Sequence, residues 1–453
     1  MNNAYGDLSF WFDSLGELPE SHTDPLPEET EIAVIGAGFT GLWTAYYLKK
    51  RQPDLDVTVV EAYTPGYGAS GRNGGWCMGE VEGIDTYFQN SRTRDGAQAL
   101  QRQMFDTVDE IGRVSQAENI DCHYAKGGWL HVARYPFHVG ELQQWIQEKH
   151  EQGCSEDDYR WLEPSEGGAR LSYASHLGAA YASNCAVVQP ARLARGLADT
   201  VRSMGVRILE NTPATELVPG RVKTARGEIR ARHILRATEG YTSTLKGEKR
   251  TMLPLYSMIV ATEPLPEHIW EEIGLSKREV FDDPRRIVIY GQRTMDNRMV
   301  LGGRATYEWG SGIRRSIGFD NEHVEVVRQT LLDIFPELGA YEITHGWGGL
   351  MGVPRTWRPS VYHDPKTGMG WAGGYVGEGV AATNLAARTL VDLVLERDTP
   401  LSRLPWVGDV PRRWEPEPLR WIGSKFIRWM NYQADKAEAR TEKAARPWHW
   451  LTG

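Results

Sequence analysis

Three glycines and one acidic residue near the start of the chain have the spacing of a dinucleotide site. Gly36, Gly38 and Gly41 match the pattern GxGxxG, and Glu61 follows Gly36 by 25 residues. In such a motif the glycines permit a tight turn, close approach of the backbone to a pyrophosphate and close packing of a helix. The carboxylate accepts hydrogen bonds from the ribose of adenosine. The motif predicts NAD or FAD, since both carry an ADP half.

Further glycine-rich segments could place backbone N–H groups against a polar ligand. Residues 66–75 read GYGASGRNGG, a loop of small residues with one guanidinium and one amide. Such a loop lets N–H groups crowd a phosphate or an electron-rich ring, which an NAD site does not require here. Residues 346–352 are predicted to be a glycine-rich connection to residues 370–380, GWAGGYVGEGV, which lead into a long helix with a partially positive N-terminus. These segments favour a flavin over NAD.

The elements around these residues have the order of a parallel α/β unit. An apolar strand at Ile32–Ile35 precedes the first glycine turn, a helix at Leu42–Arg51 follows it, and a second apolar strand comes at Val57–Val60. Strand and helix patterns that fit the same sheet return at residues 190–237, which predicts a discontinuous domain. Residues 251–344 instead contain short strands joined by turns and predict an antiparallel sheet.

Composition and charge limit the classes of function. The chain has 453 residues, an ordinary apolar content of 41% and a net charge of −9, which argues against nucleic acid as a partner. The histidines show no HxxxH or HExxH spacing, so we expect no metal site. The four cysteines form no CxxC pair, and the N-terminus resembles neither a signal peptide nor an apolar span. We therefore expect a cytoplasmic protein with no membrane partner, and its oligomeric state is open.

Taken in order, these motifs resemble those of the D-amino-acid-oxidase-like FAD oxidoreductases. The matching residues are GAGFTG, Glu61, the loop GASGRNGG, a strand ending in Arg-Ala-Thr-Glu-Gly at residues 236–240, and GGYVGEGV. The loop is most similar to that of the γ-glutamylputrescine oxidase branch. The resemblance extends over about residues 8–400.

The resemblance implies an α/β fold with a discontinuous Rossmann-like FAD-binding domain. An α+β substrate domain with an antiparallel sheet and a helical C-terminal tail complete the expected architecture. The expected segments are 29–80, 185–250 and 345–400 for the FAD-binding domain, 81–184 and 251–344 for the substrate-binding domain, 1–28 for an N-terminal arm and 401–453 for the tail.

The resemblance also implies which residues hold the cofactor, which is expected to be non-covalent FAD. Gly36, Gly38 and Gly41 would contact the pyrophosphate, and Glu61 the adenosine ribose. Cys77 follows the flavin loop and could form a covalent link, but a buried inert thiol is the commoner role for such a cysteine. The other expected cofactor residues are Phe39, Thr40, Ala62, Ser70, Gly71, Arg72, Asn73, Gly74, Gly75, Ala214, Ala237, Gly240, Gly374, Gly377, Gly379 and Val380.

The activity that the resemblance implies is oxidation of the C–N bond of a small, anionic amine to an imine. The imine hydrolyses to an aldehyde or an oxo acid, and O2 is reduced to hydrogen peroxide. An amino acid, a γ-glutamyl amine, an N-methyl amine and an aminophosphonate all fit as substrates. Two alternatives stay open: a dehydrogenase that passes electrons to a quinone or an electron-transfer protein, and a non-catalytic flavin-binding protein.

The sequence selects no catalytic residue firmly, because the cofactor carries the electron transfer and no side-chain base is required. Tyr256, Tyr290 and Arg358 are the catalytic candidates, although strand tyrosines by default pack in a core. Arg358 and Arg293 are candidates for binding a substrate carboxylate, since a guanidinium can pair with it through two hydrogen bonds. A solvated surface role is the alternative for both arginines. Trp347 is a candidate wall of the substrate pocket.

Overall fold

The computed structural model of the chain describes residues 5–17 and 24–445. Residues 1–4 and 18–23 of the predicted arm and residues 446–453 of the predicted tail lie outside the described residues. The helices are α1 (Phe10–Asp13), α2 (Phe39–Arg51), α3 (Asp85–Phe88), α4 (Arg94–Ala117), α5 (Pro136–Glu151), α6 (Pro164–Arg170), α7 (Pro190–Ser203), α8 (Glu267–Ile273), α9 (Glu322–Ile334), α10 (Gly379–Val394) and α11 (Leu419–Thr441). The strands are β1 (Glu29–Ile35), β2 (Val57–Val60), β3 (Trp76–Met78), β4 (Trp129–Val132), β5 (Tyr159–Leu162), β6 (Ala179–Ala182), β7 (Cys185–Val187), β8 (Arg207–Leu209), β9 (Ala214–Val218), β10 (Arg221–Thr224), β11 (Gly227–Arg236), β12 (Leu253–Thr262), β13 (Val280–Asp282), β14 (Ile289–Arg293), β15 (Met299–Tyr307), β16 (Ile343–Val353), β17 (Ser360–Asp364) and β18 (Met369–Gly373).

The chain forms two compact units, each assembled from separate segments. The first unit comprises Met1–Cys122, Gln189–Leu255 and Leu350–Glu415, and the second comprises His123–Val188, Tyr256–Gly349 and Pro416–Gly453. The predicted substrate domain includes residues 81–122, whereas these residues belong to the first unit, because α4 packs on α10. The predicted tail is divided: residues 401–415 lie in the first unit and α11 lies in the second.

The first unit is built around a sheet whose centre is five parallel strands, in the order β8-β2-β1-β11-β18. Strand β17 pairs antiparallel at one edge, and the β9–β10 hairpin extends from β11. The register places Ile35 beside both Val60 and Arg236, so the carboxyl ends of three strands align. The loops that follow these strands meet at that edge, where open α/β sheets bind their ligands.

Helix α2 packs between α7 and α10 in the first unit. Its residues from Phe39 to Lys49 are buried, which explains why its sequence is apolar on nearly every side. The helix begins three residues before the predicted start, Leu42, because Gly38 has an extended backbone and serves as the N-cap.

The second unit contains most of an eight-stranded sheet, in the order β16-β12-β15-β14-β13-β4-β6-β5. The pairs β13–β14, β14–β15, β4–β6 and β5–β6 are antiparallel, as expected for this region. Strands β4 and β13 form a parallel pair that the sequence did not predict. Helices α9 and α11 pack on β15.

Residues 346–352 are predicted to be an irregular connection, but they form most of β16. A Cβ on Gly346 would lie 2.7 Å from Val324 of α9, and a Cβ on Gly348 would lie 2.8 Å from Ile317. The glycines therefore allow neighbouring elements to pack closely on the strand. Glycine is rare in strand interiors, which is why the sequence pattern pointed to a loop.

A buried group of charges in the second unit is a structural ion-pair network. Arg285 Nε and the Tyr173 hydroxyl both donate to Asp283 at 2.6 Å. Burial alone would raise the pKa of Asp283, but the Arg285 guanidinium holds it well below its usual range.

Within the described residues, no group of three or more His, Cys, Asp or Glu side chains could hold a metal ion. In the same part of the chain, no helix has both the length and the apolar character needed to cross a membrane.

Candidate functional site

The turn between β1 and α2 leaves no room for side chains. Gly36 has φ +107°, and a Cβ added there would lie 2.7 Å from the carbonyl oxygen of Ala237. A Cβ on Gly41 would lie 1.9 Å from the carbonyl oxygen of Gly36, and one on Gly38 would lie 2.9 Å from Ser70 Oγ. The start of α2 therefore lies directly against the end of β1. This is the cradle that a pyrophosphate needs at a helix N-terminus.

Glu61 lies at the end of β2, beside this turn, and is buried. Its Oε2 accepts a hydrogen bond from the backbone N–H of Ala37 at 2.7 Å, and Oε1 accepts one from that of Tyr63 at 2.9 Å. Burial raises the pKa of Glu61 from 4.5 to about 7, while the backbone donors oppose that rise. The N–H of Thr212 donates to the Glu61 carbonyl at 2.8 Å, which brings the start of β9, with Ala214, to the same edge.

The loop at residues 66–75 is held together by its own polar side chains. The side-chain amide of Asn73 bonds to backbone groups of the loop at 2.7 and 3.0 Å, and Arg72 Nε donates to the Tyr67 carbonyl at 2.8 Å. The hydroxyl of Ser70 instead reaches the start of α2, where it accepts a hydrogen bond from the N–H of Phe39 at 2.8 Å. Arg72 and Asn73 thus shape the loop, and Ser70 is the polar side chain at the helix N-terminus.

The N-terminal arm supports this loop through contacts that the sequence did not predict. Ser9 Oγ donates to the carbonyl of Gly71 at 2.8 Å, and Trp11 Nε1 donates to the carbonyl of Asn73 at 2.7 Å. The buried ring of Phe12 fills the space beside Gly71, where an added Cβ would lie 2.4 Å from the ring. The aromatic residues of the arm therefore fix the loop backbone.

The second glycine turn precedes α10 and contacts the first turn. Gly374 has φ +85° and Gly377 has φ +110°, a backbone region that favours glycine. The hydroxyl of Tyr375 lies 3.1 Å from Thr40 Oγ1 in the first turn of α2, and α2 packs along α10. The structure thus brings together, within the first unit, two helix starts that each follow a glycine turn and are more than three hundred residues apart in the sequence. Both N-termini carry a partial positive charge suited to an anionic ligand.

Glu239 is a residue of this site that the sequence analysis did not select. It has φ +43°, and although the residue is partly exposed, its carboxylate is enclosed by backbone N–H groups. Oε2 accepts a hydrogen bond from Gly374 at 2.9 Å and Oε1 accepts one from Tyr375 at 3.3 Å. Burial raises the pKa of Glu239 from 4.5 to about 7, and the backbone donors oppose the rise. The available signal was an acid just before Gly240, at the end of a buried strand.

Tyr256 and Tyr290 lie in the second unit, on opposite faces of its sheet. The Tyr290 and Ser257 hydroxyls are hydrogen-bonded at 2.8 Å, whereas the Tyr256 hydroxyl accepts a hydrogen bond from the N–H of Arg314 at 2.6 Å. Successive residues of a strand point to opposite faces, so Tyr256 and Ser257 of β12 diverge. We refer to the side with Tyr256 as the first face and to the side with Ser257 and Tyr290 as the second face. Burial raises the pKa of Tyr290 to about 12, so its phenol stays neutral.

The remaining candidates of this unit divide between the same two faces. A Cβ on Gly348 of β16 would lie 3.2 Å from Met258 Sδ, which puts Gly348 on the first face and its neighbour Trp347 on the second. Arg293 is three residues from Tyr290 on β14 and therefore lies on the first face. Helix α9 covers the first face at β16, because Gly346 approaches it there. The structure thus groups Tyr290 with Trp347 and separates them from Tyr256 and Arg293.

Both arginine candidates are already paired within their own units. Arg293 Nη2 lies 3.1 Å from Glu267, and its guanidinium lies 4.6 Å from the ring centre of Trp270. Arg358 Nη2 lies 2.9 Å from Asp409, which is 51 residues away in the sequence. A pairing over that separation leaves no local pattern by which the sequence could have revealed it. These carboxylate partners weaken the case for either arginine as the anchor of a substrate carboxylate.

Comparison with known proteins matches this arrangement to one family. The family model described as DAO, FAD dependent oxidoreductase, matches residues 31–393. A probable oxidoreductase OrdL from Haemophilus influenzae is 29% identical, over 89% of this chain and 92% of the relative. Gamma-glutamylputrescine oxidoreductase from Escherichia coli is also 29% identical, over 83% of this chain and 86% of the relative. These matches confirm the resemblance found in the sequence.

Solved structures show the same fold. The crystal structure of L-proline dehydrogenase from P. horikoshii has a TM-score of 0.68 at 20% identity and covers 84% of this chain and 96% of its own. That of glycine oxidase from Geobacillus kaustophilus has a TM-score of 0.68 at 18% identity and covers 82% and 96%. The likeness confirms the predicted fold class, an α/β fold with a discontinuous Rossmann-like domain and a second α+β domain. The sheet of the second domain was predicted to be antiparallel, whereas β4 and β13 form a parallel pair within it.

The geometry of the first turn predicts that Gly41→Ala removes both stability and bound flavin. The new Cβ would overlap the Gly36 carbonyl oxygen at 1.9 Å, so the turn must open at a cost of about 3 kcal/mol or more. The matched control is Gly140→Ala, since Gly140 also lies in a helix but has no atom within 4 Å of its Cβ position. The control should gain up to about 1 kcal/mol. Thermal unfolding and flavin absorbance after desalting measure both effects, and equal flavin retention would contradict the prediction.

The raised pKa of Glu239 predicts a defined pH dependence of stability. Its carboxyl titrates near 4.5 in the unfolded chain and near 7 in the fold, so this stabilisation is complete below pH 4.5 and is lost as the pH rises through 7. Glu239→Gln has no titrating group and should lack this part of the slope, about 3 kcal/mol between the two pH limits. Thermal unfolding of the apoprotein across this range measures it. Glu61, whose pKa is raised in the same way, leaves a residual slope in the variant. Superimposable profiles for the variant and the parent chain would refute the assignment.

Proposed function

Because the chain belongs to the DAO family of FAD dependent oxidoreductases, we propose that it oxidises a small amine at its C–N bond, with O2 as electron acceptor. Family membership confirms FAD as the cofactor and places the enzyme among the oxidoreductases. In the proposed reaction, the amine, O2 and water give a carbonyl compound, ammonia or a smaller amine, and hydrogen peroxide. FAD, when bound, supplies the two-electron oxidation.

The observation that carries the proposal is the meeting, in the first unit, of two helix starts that each follow a glycine turn. The 3.1 Å contact between Tyr375 and Thr40 holds the start of α2 near the start of α10. The glycines before α2 leave room for a pyrophosphate, and the buried Glu61 carboxylate beside that turn would accept hydrogen bonds from the ribose hydroxyls of an ADP group. The start of α10 would stabilise the negative charge that reduction places on a flavin ring. Cys77 is buried in β3, and we propose that it forms no link to the cofactor.

We assign substrate binding to the second face of the sheet in the second unit. Tyr290 and Trp347 share that face, and the neutral Tyr290 phenol can hold a hydrogen bond without attracting or repelling a charged substrate. Trp347 is almost completely buried and supplies an apolar wall. The first face, with Tyr256 and Arg293, contacts helices of its own unit. The E. coli relative acts, by its name, on γ-glutamylputrescine, which supports a γ-glutamyl amine as the first substrate class to test.

The proposal predicts that the purified, FAD-loaded chain produces peroxide from one class of amine. The panel contains a γ-glutamyl amine, an α-amino acid, an N-methyl amino acid and an aminophosphonate, with peroxide and carbonyl product measured together. The expected result is equal amounts of peroxide and carbonyl product from the best substrate. A parallel anaerobic series with a soluble quinone tests the acceptor. If the enzyme turns over with the quinone but not with O2, the quinone takes the place of O2 as the electron acceptor. If no amine bleaches the flavin, amine oxidation is rejected.

The assignment of the second face predicts different outcomes for two conservative tyrosine variants. Tyr290→Phe removes a hydroxyl of that face, so we expect kcat/KM for the best amine to fall about tenfold, the loss from one hydrogen bond. Tyr256→Phe removes a buried hydroxyl of the first face and should lower the melting temperature while kcat/KM stays unchanged. Steady-state kinetics and thermal unfolding of both variants make the comparison. A larger kinetic loss in Tyr256→Phe would reverse the assignment of the faces.

A further inference from the structure

Helix α11 is attached to the second unit by polar side chains and turns apolar ones to solvent. Its buried positions include Arg420 and Glu438, together with Met430 and Ala434. Leu419, Ile422, Phe426 and Trp429, by contrast, are between 50% and 61% exposed. A surface helix of a globular protein normally has the reverse arrangement, with its apolar side against the core.

The polar anchors of α11 are specific hydrogen bonds. The carboxylate of Asp435 accepts from the backbone N–H groups of Arg286 and Ile287 at 2.8 and 3.0 Å. Arg286 Nη2 also donates to Glu438 at 2.9 Å. At the other end of the helix, Arg420 Nη2 donates to Glu417 at 3.0 Å, and Glu417 also accepts a hydrogen bond from the Tyr307 hydroxyl of β15. These bonds fix the rotation of the helix, so the exposure of its apolar side follows from the fold.

The exposed side changes from apolar to basic along the helix. Ile422, Trp429 and Lys436 follow one another at seven-residue intervals and therefore share one line on the surface. Leu419, Phe426 and, after fourteen further residues, Arg440 form a parallel line. We call these two lines the outer stripe.

Aromatic rings widen the apolar part of the outer stripe. Phe426 and Trp429 lie 6.1 Å apart with nearly parallel rings, and Trp309, 58% exposed, packs against Trp421 at 5.8 Å. Lys436 Nζ lies 4.5 Å from the ring centre of Tyr432. An exposed apolar patch of this kind on a folded protein marks an interaction site.

The charges of α11 select the kind of partner. The helix carries five basic residues and two acidic ones, although the whole chain has a net charge of −9. Both acidic residues, Asp435 and Glu438, are engaged on the inner side, so the charges that α11 itself adds to the outer stripe, Lys436 and Arg440, are positive. The acidic groups Glu308 and Glu322 of neighbouring elements lie near Lys425 and Arg428. Two copies of the helix packed in parallel would set the cations of the stripe against each other, and two copies packed antiparallel would set the cations of each against the apolar end of the other. A partner with an apolar layer next to an anionic layer fits both the apolar half and the basic half of the stripe.

We propose that the outer stripe docks the protein on an anionic lipid membrane, with α11 tilted in the interface so that its N-terminal apolar half lies deeper than its C-terminal basic half. Its apolar half would enter the boundary between head groups and acyl chains, where tryptophan is favoured. Lys436 and Arg440 would contact lipid phosphates. The family match ends at residue 393, before α11 begins, so this surface is separate from the shared FAD-binding core. It revises the expectation of no membrane partner, because a helix in the interface need not span the bilayer.

Vesicle binding by the full-length, FAD-loaded protein tests the proposal. The protein is sedimented with vesicles of phosphatidylcholine alone and with vesicles that also contain phosphatidylglycerol. We expect binding to the second kind, weakened by added salt. The double variant Phe426→Glu/Trp429→Glu should bind about tenfold more weakly or worse. The double variant Lys436→Glu/Arg440→Glu should bind vesicles that contain phosphatidylglycerol more weakly, by about fivefold or more for each basic residue replaced. Its behaviour with vesicles of phosphatidylcholine alone should not change.

The matched control is Met295→Glu, which places the same charge at a methionine of the second unit that is 62% exposed and outside the outer stripe. It should bind vesicles as the parent chain does. Flavin absorbance and melting temperature, which should not change in any variant, show that each is folded.

Several results would overturn the proposal. These are no binding to either vesicle, equal binding by the Phe426→Glu/Trp429→Glu variant and the parent chain, and a loss in Met295→Glu equal to that in the double variant. A solution dimer that the double variant dissociates, without vesicle binding, would assign the stripe to a second copy. Binding that appears only after removal of residues 446–453 would show that the end of the chain covers the stripe in the intact protein.

Discussion

The structure of the first unit depends on a close approach of backbone to backbone at the end of β1. The carbonyl oxygen of Gly36 lies 1.9 Å from the position that a Cβ on residue 41 would take, and the carbonyl oxygen of Ala237 lies 2.7 Å from the Cβ position of residue 36. Because neither residue has a side chain, α2 can start against the ends of β1 and β11. The N-terminus of α2 is thereby placed at the edge where the neighbouring strands end, next to Glu61. A side chain at residue 36 or residue 41 would push α2 away from the sheet and disrupt that edge.

Two buried carboxylates connect the loops at this edge. Glu61 joins the first glycine turn to the end of β2 through Ala37, and Glu239 joins the end of β11 to the second glycine turn through Gly374 and Tyr375. A carboxylate with several acceptor positions can hold two backbone segments at once, which a neutral side chain does less well. Burial removes both carboxylates from water, and this desolvation raises the pKa values of Glu61 and Glu239. The site is thus ordered by groups whose protonation is sensitive near neutral pH.

The sequence predicted well what short segments decide on their own. Strand β2 has the predicted limits, Val57–Val60, because an apolar run next to a glycine turn is a local signal. It failed where distant segments decide the outcome. The support of the loop at residues 66–75 by Trp11 and the pairing of Arg358 with Asp409 both require the folded chain. The glycines of β16 misled the prediction, since their role is close packing against another element.

The two units use charge in opposite ways, and the difference bears on what each does. In the first unit, buried acids organise the backbone around the edge where we propose that the cofactor binds, and their partners are N–H groups of neighbouring turns. In the second unit, Asp435 and Glu438 draw the polar side of α11 inward. A helix oriented by hydrogen bonds does not need its apolar side for folding, and that side remains available for another surface. Apolar exposure on α11 is therefore a consequence of specific anchoring, and the proposed membrane contact would offset the solubility cost of exposing Phe426 and Trp429.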